Sequence, residues 1–116
     1  VYWPTSEHYF QAQKFASKQL REKIRLYHSP MDAALEGRKS NNPLRDDWEQ
    51  VKDDIMLYAV YQKFSQNSVL KDLLLSTNDL EIVEHTVNDS YWGDGGDGSG
   101  KNMLGQILMR VRLMLK

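Results

Sequence analysis

Leu80-Glu81-Ile82-Val83-Glu84-His85-Thr86 is the stretch on which the fold class turns. It is rich in β-branched residues and follows Thr77-Asn78-Asp79, a turn signal, so it reads as a strand, the one convincing strand in the chain. A lone strand is not stable in water and needs partners. Residues upstream of Val1, or the short Val1 to Trp3 stub, are the expected source of them. Everything else reads as helix, so the expected class is α+β, predominantly helical, with a small sheet whose N-terminal strands are missing.

Working outward toward the C-terminus, six of the seven glycines fall between Trp92 and Gly105, in Gly93-Asp94-Gly95-Gly96-Asp97-Gly98-Ser99-Gly100 and at Gly105. Glycine is entropically costly to order, so such a cluster before a helix points to backbone that must approach something closely, with amide groups available to an anion. Tyr91 and Trp92 flank it as stacking surfaces. Asn102 is then expected to cap a last helix whose Met103, Leu104, Ile107, Leu108, Val111 and Leu115 face a core.

Toward the N-terminus the pattern is helical throughout. Pro4-Thr5-Ser6-Glu7 combines a proline, hydroxyl caps and an early carboxylate, and opens a helix carrying Tyr9, Phe10, Phe15 and Ala16. That helix sets Glu7, Gln11 and Lys14 on one face. Leu20, Ile24 and Tyr27 recur at helical spacing, and Ser29-Pro30 starts a short helix ending near Gly37. Lys39 to Pro43 reads as a loop. Asp46-Asp47-Trp48 opens the longest helix, running to Asn67, and Ser68 to Leu75 is another short one.

Composition narrows the function classes. At 116 residues one domain is expected. A net charge of −1 and a pI near 6.3 lack the basic footprint of sequence-independent nucleic-acid binding. The absence of cysteine excludes disulfides, thiolate metal sites and a cysteine nucleophile. No apolar run approaches the length of a membrane span, and the first residues lack a signal-peptide pattern, so a cytoplasmic protein without membrane contact is expected.

Two phosphate motifs nearly fit the glycine loop. Gly93, Gly95 and Gly98 satisfy G-x-G-x-x-G, but the chain stops before the following strand and acid that a dinucleotide fold requires. Gly95 to Lys101 matches G-x-x-x-x-G-K, yet Asn102 stands where the metal-binding hydroxyl belongs. Asp94 and Asp97 fail the alternate spacing of an EF-hand.

Resemblance over nearly the whole chain adds what short motifs do not. Trp3-Pro4-Thr5-Ser6-Glu7-His8-Tyr9-Phe10-Gln11-Ala12-Gln13-Lys14-Phe15, Ser29-Pro30-Met31 with Gly37-Arg38, and Pro43-Leu44-Arg45 with Trp48 resemble the NADAR, or YbiA-like, family. So do Glu84-His85-Thr86, Asn88-Asp89, and Tyr91-Trp92-Gly93-Asp94-Gly95-Gly96 with Gly98 to Gly105. The resemblance implies a single domain over 1–116, mainly helical α+β. It also implies a β-rich segment before Trp3, so that the chain is expected to be truncated at its N-terminus.

The implied activity is N-glycosidase. The substrates the family implies are phosphorylated ribosylamino-pyrimidine intermediates of riboflavin biosynthesis, with release of ribose 5-phosphate, or ADP-ribose on modified guanine, in which case nucleic acid becomes a partner. The Asn88 to Gly96 block favours the riboflavin branch. A rival from another class is a module that binds ADP-ribose or NAD-like ligands without turnover. No cofactor is implied, and the oligomeric state is left open.

Breaking a glycosyl C1–N bond builds positive charge on the sugar, which a carboxylate stabilises while orienting water. Glu7, the acid of the N-terminal signature, is the first candidate; its alternative role is a helix-dipole contact of ~0.3–1 kcal/mol. Lys14, on the same face, could attack C1 as a free amine and form a Schiff base. Asp89 could bind ribose hydroxyls or cap its turn. For substrate binding, Arg38 offers a fork for phosphate, Trp48 and Trp92 offer rings for the heterocycle, and Gly93, Asp94 and Asn102 belong to the loop. His8 and His85 lack metal-ligand spacing and are expected to be hydrogen-bonded histidines, with no metal.

Overall fold

The computed structural model describes residues 2–116, and the chain divides into two compact units, Val1–Ile55 and Met56–Lys116. The first contains α1 (Ser6–Gln13), α2 (Lys18–Arg25) and α3 (Pro30–Gly37), together with the start of α4 (Trp48–Ser65). The second contains the rest of α4, then α5 (Ser68–Leu75) and α6 (Met103–Leu115).

Short polar side chains set the helix starts. The hydroxyls of Thr5, Ser17 and Ser29 accept the amides of His8, Leu20 and Asp32 at 3.1, 3.2 and 3.1 Å, and Asn67 does the same for Leu70 at 3.1 Å. Each such cap stabilises its helix by about 1 kcal/mol. Pro30 follows its cap directly, where a missing N–H costs nothing. Phe15 and Ala16 fall beyond the end of α1 rather than within it, and Asn67, expected as the end of the longest helix, instead begins α5.

In the first unit α1, α2 and α3 pack on one another around Ala12, Phe15, Ile24 and Ala33, with Trp3 and Leu20 at the margin. In the second, Val60 of α4, Leu74 of α5 and Ile107 and Val111 of α6 form the core, flanked by Ile82 and Trp92. Among the described residues no helix is long and apolar enough to cross a membrane.

The α+β expectation is overturned. Among the described residues there are six helices and no strand, so neither the small sheet nor its N-terminal strands are seen. Leu80 to Thr86 has no regular secondary structure and no ladder partner. Several of its backbone groups are bonded to the glycine loop and the residue that follows it: Ile82 O accepts from Asn102 Nδ2 at 2.9 Å, and Asn102 Oδ1 accepts from Glu84 N at 2.8 Å. Glu84 O accepts from Asp94 N at 2.9 Å, and Thr86 N donates to Asp94 Oδ1 at 3.1 Å. Once loop side chains and amides meet part of the hydrogen-bonding demand of such a segment, it can be ordered without a sheet. Tyr2 and Trp3 add no strand, and Val1, the remaining residue of the proposed stub, lies outside the described residues.

Asn102 also departs from its expected role. It sits at the start of α6 in the left-handed region (φ 53°, ψ 44°) and makes no side-chain cap. Its amide is engaged instead in clamping Ile82 and Glu84.

Candidate active site

α1 carries Glu7, Gln11 and Lys14 along one face because they are spaced by four and three residues. Gln11 Nε2 donates to Glu7 Oε1 at 2.6 Å, which fixes the carboxylate. Gln11 is buried, and its Oε1 has no hydrogen-bond partner among the described residues. Gly37 makes that packing possible: a Cβ there would stand 2.0 Å from Gln11 Oε1 and 3.0 Å from Gln11 Cβ.

Lys14 ends α1, with its ammonium 3.4 Å from Gly37 O and 5.8 Å from the centre of the Phe10 ring. Burial pulls its pKa below the usual lysine value of 10.5, the Glu7 charge opposes the shift, and the Arg38 charge adds to it. Its backbone carbonyl accepts from Arg45 N at 2.8 Å, tying the Pro43-Leu44-Arg45 turn to α1.

Between these elements lies a cleft of about 340 Å³ whose wall includes Lys14, Arg38, Lys39, Asn42, Trp48 and Glu49. Three of the sequence candidates, Lys14, Arg38 and Trp48, thus share one wall. Trp48 is only 6% exposed and packs on Phe10, ring centres 5.3 Å apart, so it serves the core as well as the cleft. Arg38 is exposed and has no side-chain ion pair among the described residues.

Behind the cleft stands a group that sequence reading did not single out. Glu36, 3% exposed, accepts on Oε1 from Tyr27 Oη at 2.7 Å, Lys23 Nζ at 3.1 Å and Lys39 Nζ at 3.2 Å, and on Oε2 from Asn42 Nδ2 at 2.8 Å. The Tyr27 hydroxyl first, then Asn42 and the two ammoniums, hold its pKa down to about 2. One signal could have found it: an acid in the last turn of a helix opposes the dipole, so it needs dedicated partners.

His8 is fully buried, with Nδ1 2.7 Å from Thr5 Oγ1 and Nε2 2.9 Å from Tyr27 O. Since a carbonyl can only accept, Nε2 carries a proton.

The second unit holds Asp89, Trp92, Gly93, Asp94 and Asn102, and its polar groups point largely at its own backbone. Asp89 Oδ1 accepts from Tyr91 N at 2.9 Å and Trp92 N at 2.8 Å, the turn-capping geometry. Asp94 accepts from Thr86 N and, at 2.8 Å, from Gly96 N, while its Oδ2 lies 2.8 Å from His85 Nδ1. That pairing raises the His85 pKa and, with the two amides, lowers that of Asp94. Gly100 N, Lys101 N and Asn102 N donate to Asp94 O, Ser90 O and Gly93 O at 2.7, 2.8 and 2.9 Å. These amides are engaged within the unit rather than presented to an anion. Gly93 is needed for close approach to the chain itself, since a Cβ would meet Glu84 O at 2.8 Å and Asp89 O at 2.9 Å. Trp92 packs against the α4–α6 core and edge-on to Tyr91, ring centres 4.9 Å apart.

The NADAR domain model matches residues 1–116. The N-glycosidase YbiA of Escherichia coli is 56% identical over 113 residues, covering 97% of this chain and 71% of that protein. Its NMR structure superposes with a TM-score of 0.90, covering 97% of this chain and 67% of that one. An N-glycosidase of Nostoc punctiforme is 45% identical, covering 97% of this chain and 74% of the relative. A riboflavin biosynthesis protein of Vibrio vulnificus is 46% identical, covering 95% of this chain and 30% of its own length. With the family model matching from end to end and relatives at this level of identity, the chain belongs to the NADAR domain family, as an enzyme of the N-glycosidase class.

Proposed function

We propose that this chain hydrolyses the ribose C1–N bond of a phosphorylated ribosylamino-pyrimidine, releasing ribose 5-phosphate. The observation that carries the reading is Lys14, an amine made less basic by burial, set in a cleft beside Arg38 and within the field of Glu7. The relative named as a riboflavin biosynthesis protein supports a pyrimidine intermediate over ADP-ribosyl guanine.

Lys14 as a free amine attacks C1, and the C1–N bond breaks with its electron pair passing to the base nitrogen. Glu7 relays the proton from the attacking amine to that nitrogen, so the base leaves neutral. The ring oxygen then takes its bond from C1, leaving an iminium between Lys14 and the open sugar. Water adds to that carbon with Glu7 as base, Glu7 passes the proton to the alkoxide left by the ring oxygen, and collapse of the carbinolamine, with its hydroxyl proton moving to nitrogen, returns the lysine amine and the sugar aldehyde. Arg38 pairs with the phosphate, and the exposed edge of Trp48 borders the heterocycle.

The test is incubation with a ribosylamino-pyrimidine 5′-phosphate, with and without borohydride. Release of ribose 5-phosphate, and a reduced ribosyl adduct on Lys14, are expected. Turnover by Lys14→Met at the wild-type rate removes the covalent role. Tight binding without release removes the hydrolase reading in favour of a binding module, and release of ADP-ribose from modified guanine in place of this activity reassigns the substrate.

A further inference from the structure

We propose that Lys39 joins Arg38 in a two-cation subsite for the substrate's phosphomonoester, and that Glu36 is the positioning residue that stores Lys39 and can release it. The inference rests on the phosphorylated substrate of the preceding reading and adds to it a second anion-binding side chain and the device that governs it.

The charge balance of the cleft is the starting point. Lys14, Arg38 and Lys39 face it, opposed by the single carboxylate of Glu49, which is itself bound by Lys52 at 2.8 Å. With Lys14 assigned to C1, two cations are left for an anion, and a phosphomonoester near neutral pH carries between one and two negative charges. Arg38 has no ion pair to give up among the described residues, and its fork suits two phosphate oxygens.

Lys39 does have a partner, and the form of that partnership makes it available. Its ammonium shares Glu36 Oε1 with Lys23 and Tyr27, while Asn42 holds Oε2. When Lys39 turns away, the buried carboxylate keeps an ammonium, a hydroxyl and an amide. A buried carboxylate stripped of its cations is costly, whereas loss of one half-exposed ion pair is not. Lys39 is 53% exposed on a flexible stem, so it can swing to the cleft without unpacking anything. Lys23, which is absent from the cleft wall, is the cation that keeps Glu36 neutralised in its place.

Titration calorimetry with ribose 5-phosphate, ribose and inorganic phosphate tests this. Lys39→Ala is expected to weaken ribose 5-phosphate binding about tenfold and leave ribose unchanged, the loss of one charge-assisted contact. Lys23→Ala, remote from the cleft wall, is expected to weaken it as well, because Lys39 then becomes the only cation on Glu36. Lys39→Arg should recover most of the affinity. Both alanine variants alter half-exposed side chains, and their melting curves check that the protein is folded. Lys39→Ala binding ribose 5-phosphate as wild type does, or a wild type that binds ribose and ribose 5-phosphate alike, overturns the subsite. Lys23→Ala without effect overturns the role of Glu36. Turnover keeps the two readings apart: Lys39-dependent binding without cleavage sinks the hydrolase and leaves the subsite, and cleavage with Lys39-independent binding does the reverse.

Discussion

Each unit places a carboxylate immediately before a glycine, Glu36-Gly37 in the first and Asp94-Gly95 in the second, and the two are used differently. Asp94 binds amides of its own neighbourhood, Thr86 and Gly96, and so knits an irregular segment to a loop. Glu36 binds side chains, two of them on long flexible stems, and of its partners Lys39 and Asn42 border a cleft. A density of polar groups therefore does not mark a site by itself. What separates the two carboxylates is that Asp94 holds two fixed backbone amides beside its His85 contact, while the partners of Glu36 are side chains, one of which can be redirected to the cleft.

The largest expected effect tests the chemistry of the first unit. Glu7→Gln keeps the helix and the contact to Gln11 but removes the charge, so turnover should fall about 10²–10⁴-fold with a melting temperature near that of wild type. Unchanged turnover in a folded variant would take Glu7 out of the mechanism. Next comes one substitution made in both units. Gly93→Ala drives a Cβ against the backbone oxygens of Glu84 and Asp89, which cannot move aside, and should cost about 1–3 kcal/mol in denaturant unfolding. Gly37→Ala meets the Gln11 side chain rather than backbone oxygens, its closest contact being the movable amide end, so it should cost less stability while lowering turnover as Gln11 is pushed off Glu7. Equal stability losses with no kinetic difference would erase the contrast between the units.

Acid titration sharpens the same comparison. Glu36 has a pKa lowered from 4.5 to about 2, so its contribution is complete above 4.5 and is lost as the pH falls toward 2. Glu36→Gln should flatten the stability profile over that window, and an unchanged slope would show that the network is not coupled to folding. The smallest effect belongs to the pair of exposed His85 with buried Asp94. The raised pKa of His85 stabilises the fold below its unfolded value of 6.5 and ceases to do so as the pH rises through its folded value. Asp94, lowered, contributes above 3.8 and loses that contribution as the pH falls. His85→Ala should trim stability only between those limits, read by melting at pH 5 and at pH 8 in steps of about one unit.

Much of this molecule was legible as a string of residues. The helix starts at Thr5 and Ser29 follow from hydroxyl side chains acting on amides three residues ahead, whereas Asn67, read as the end of the longest helix, caps α5 by the same contact. The shared face of Glu7, Gln11 and Lys14 follows from helical spacing, and the family from the order of its landmarks. Leu80 to Thr86 was misread because β-branching reports a preference for extended backbone and not the presence of a neighbouring strand. Asn102 was misread because a residue just ahead of a helix was taken for its cap, when its amide had a use 20 residues upstream.

The sequence by itself determined the helices, several of their starts and the family, because capping and periodicity act over a few residues and are written locally. Only the tertiary structure decided that Glu36 gathers Tyr27, Lys23, Lys39 and Asn42 on one buried carboxylate, that Gly37 makes room for Gln11, and that the glycine loop bonds to an irregular segment in place of a sheet. Those outcomes depend on which groups are brought together across turns and on which hydrogen bonds remain unmet after the helices pack, and no local pattern encodes either.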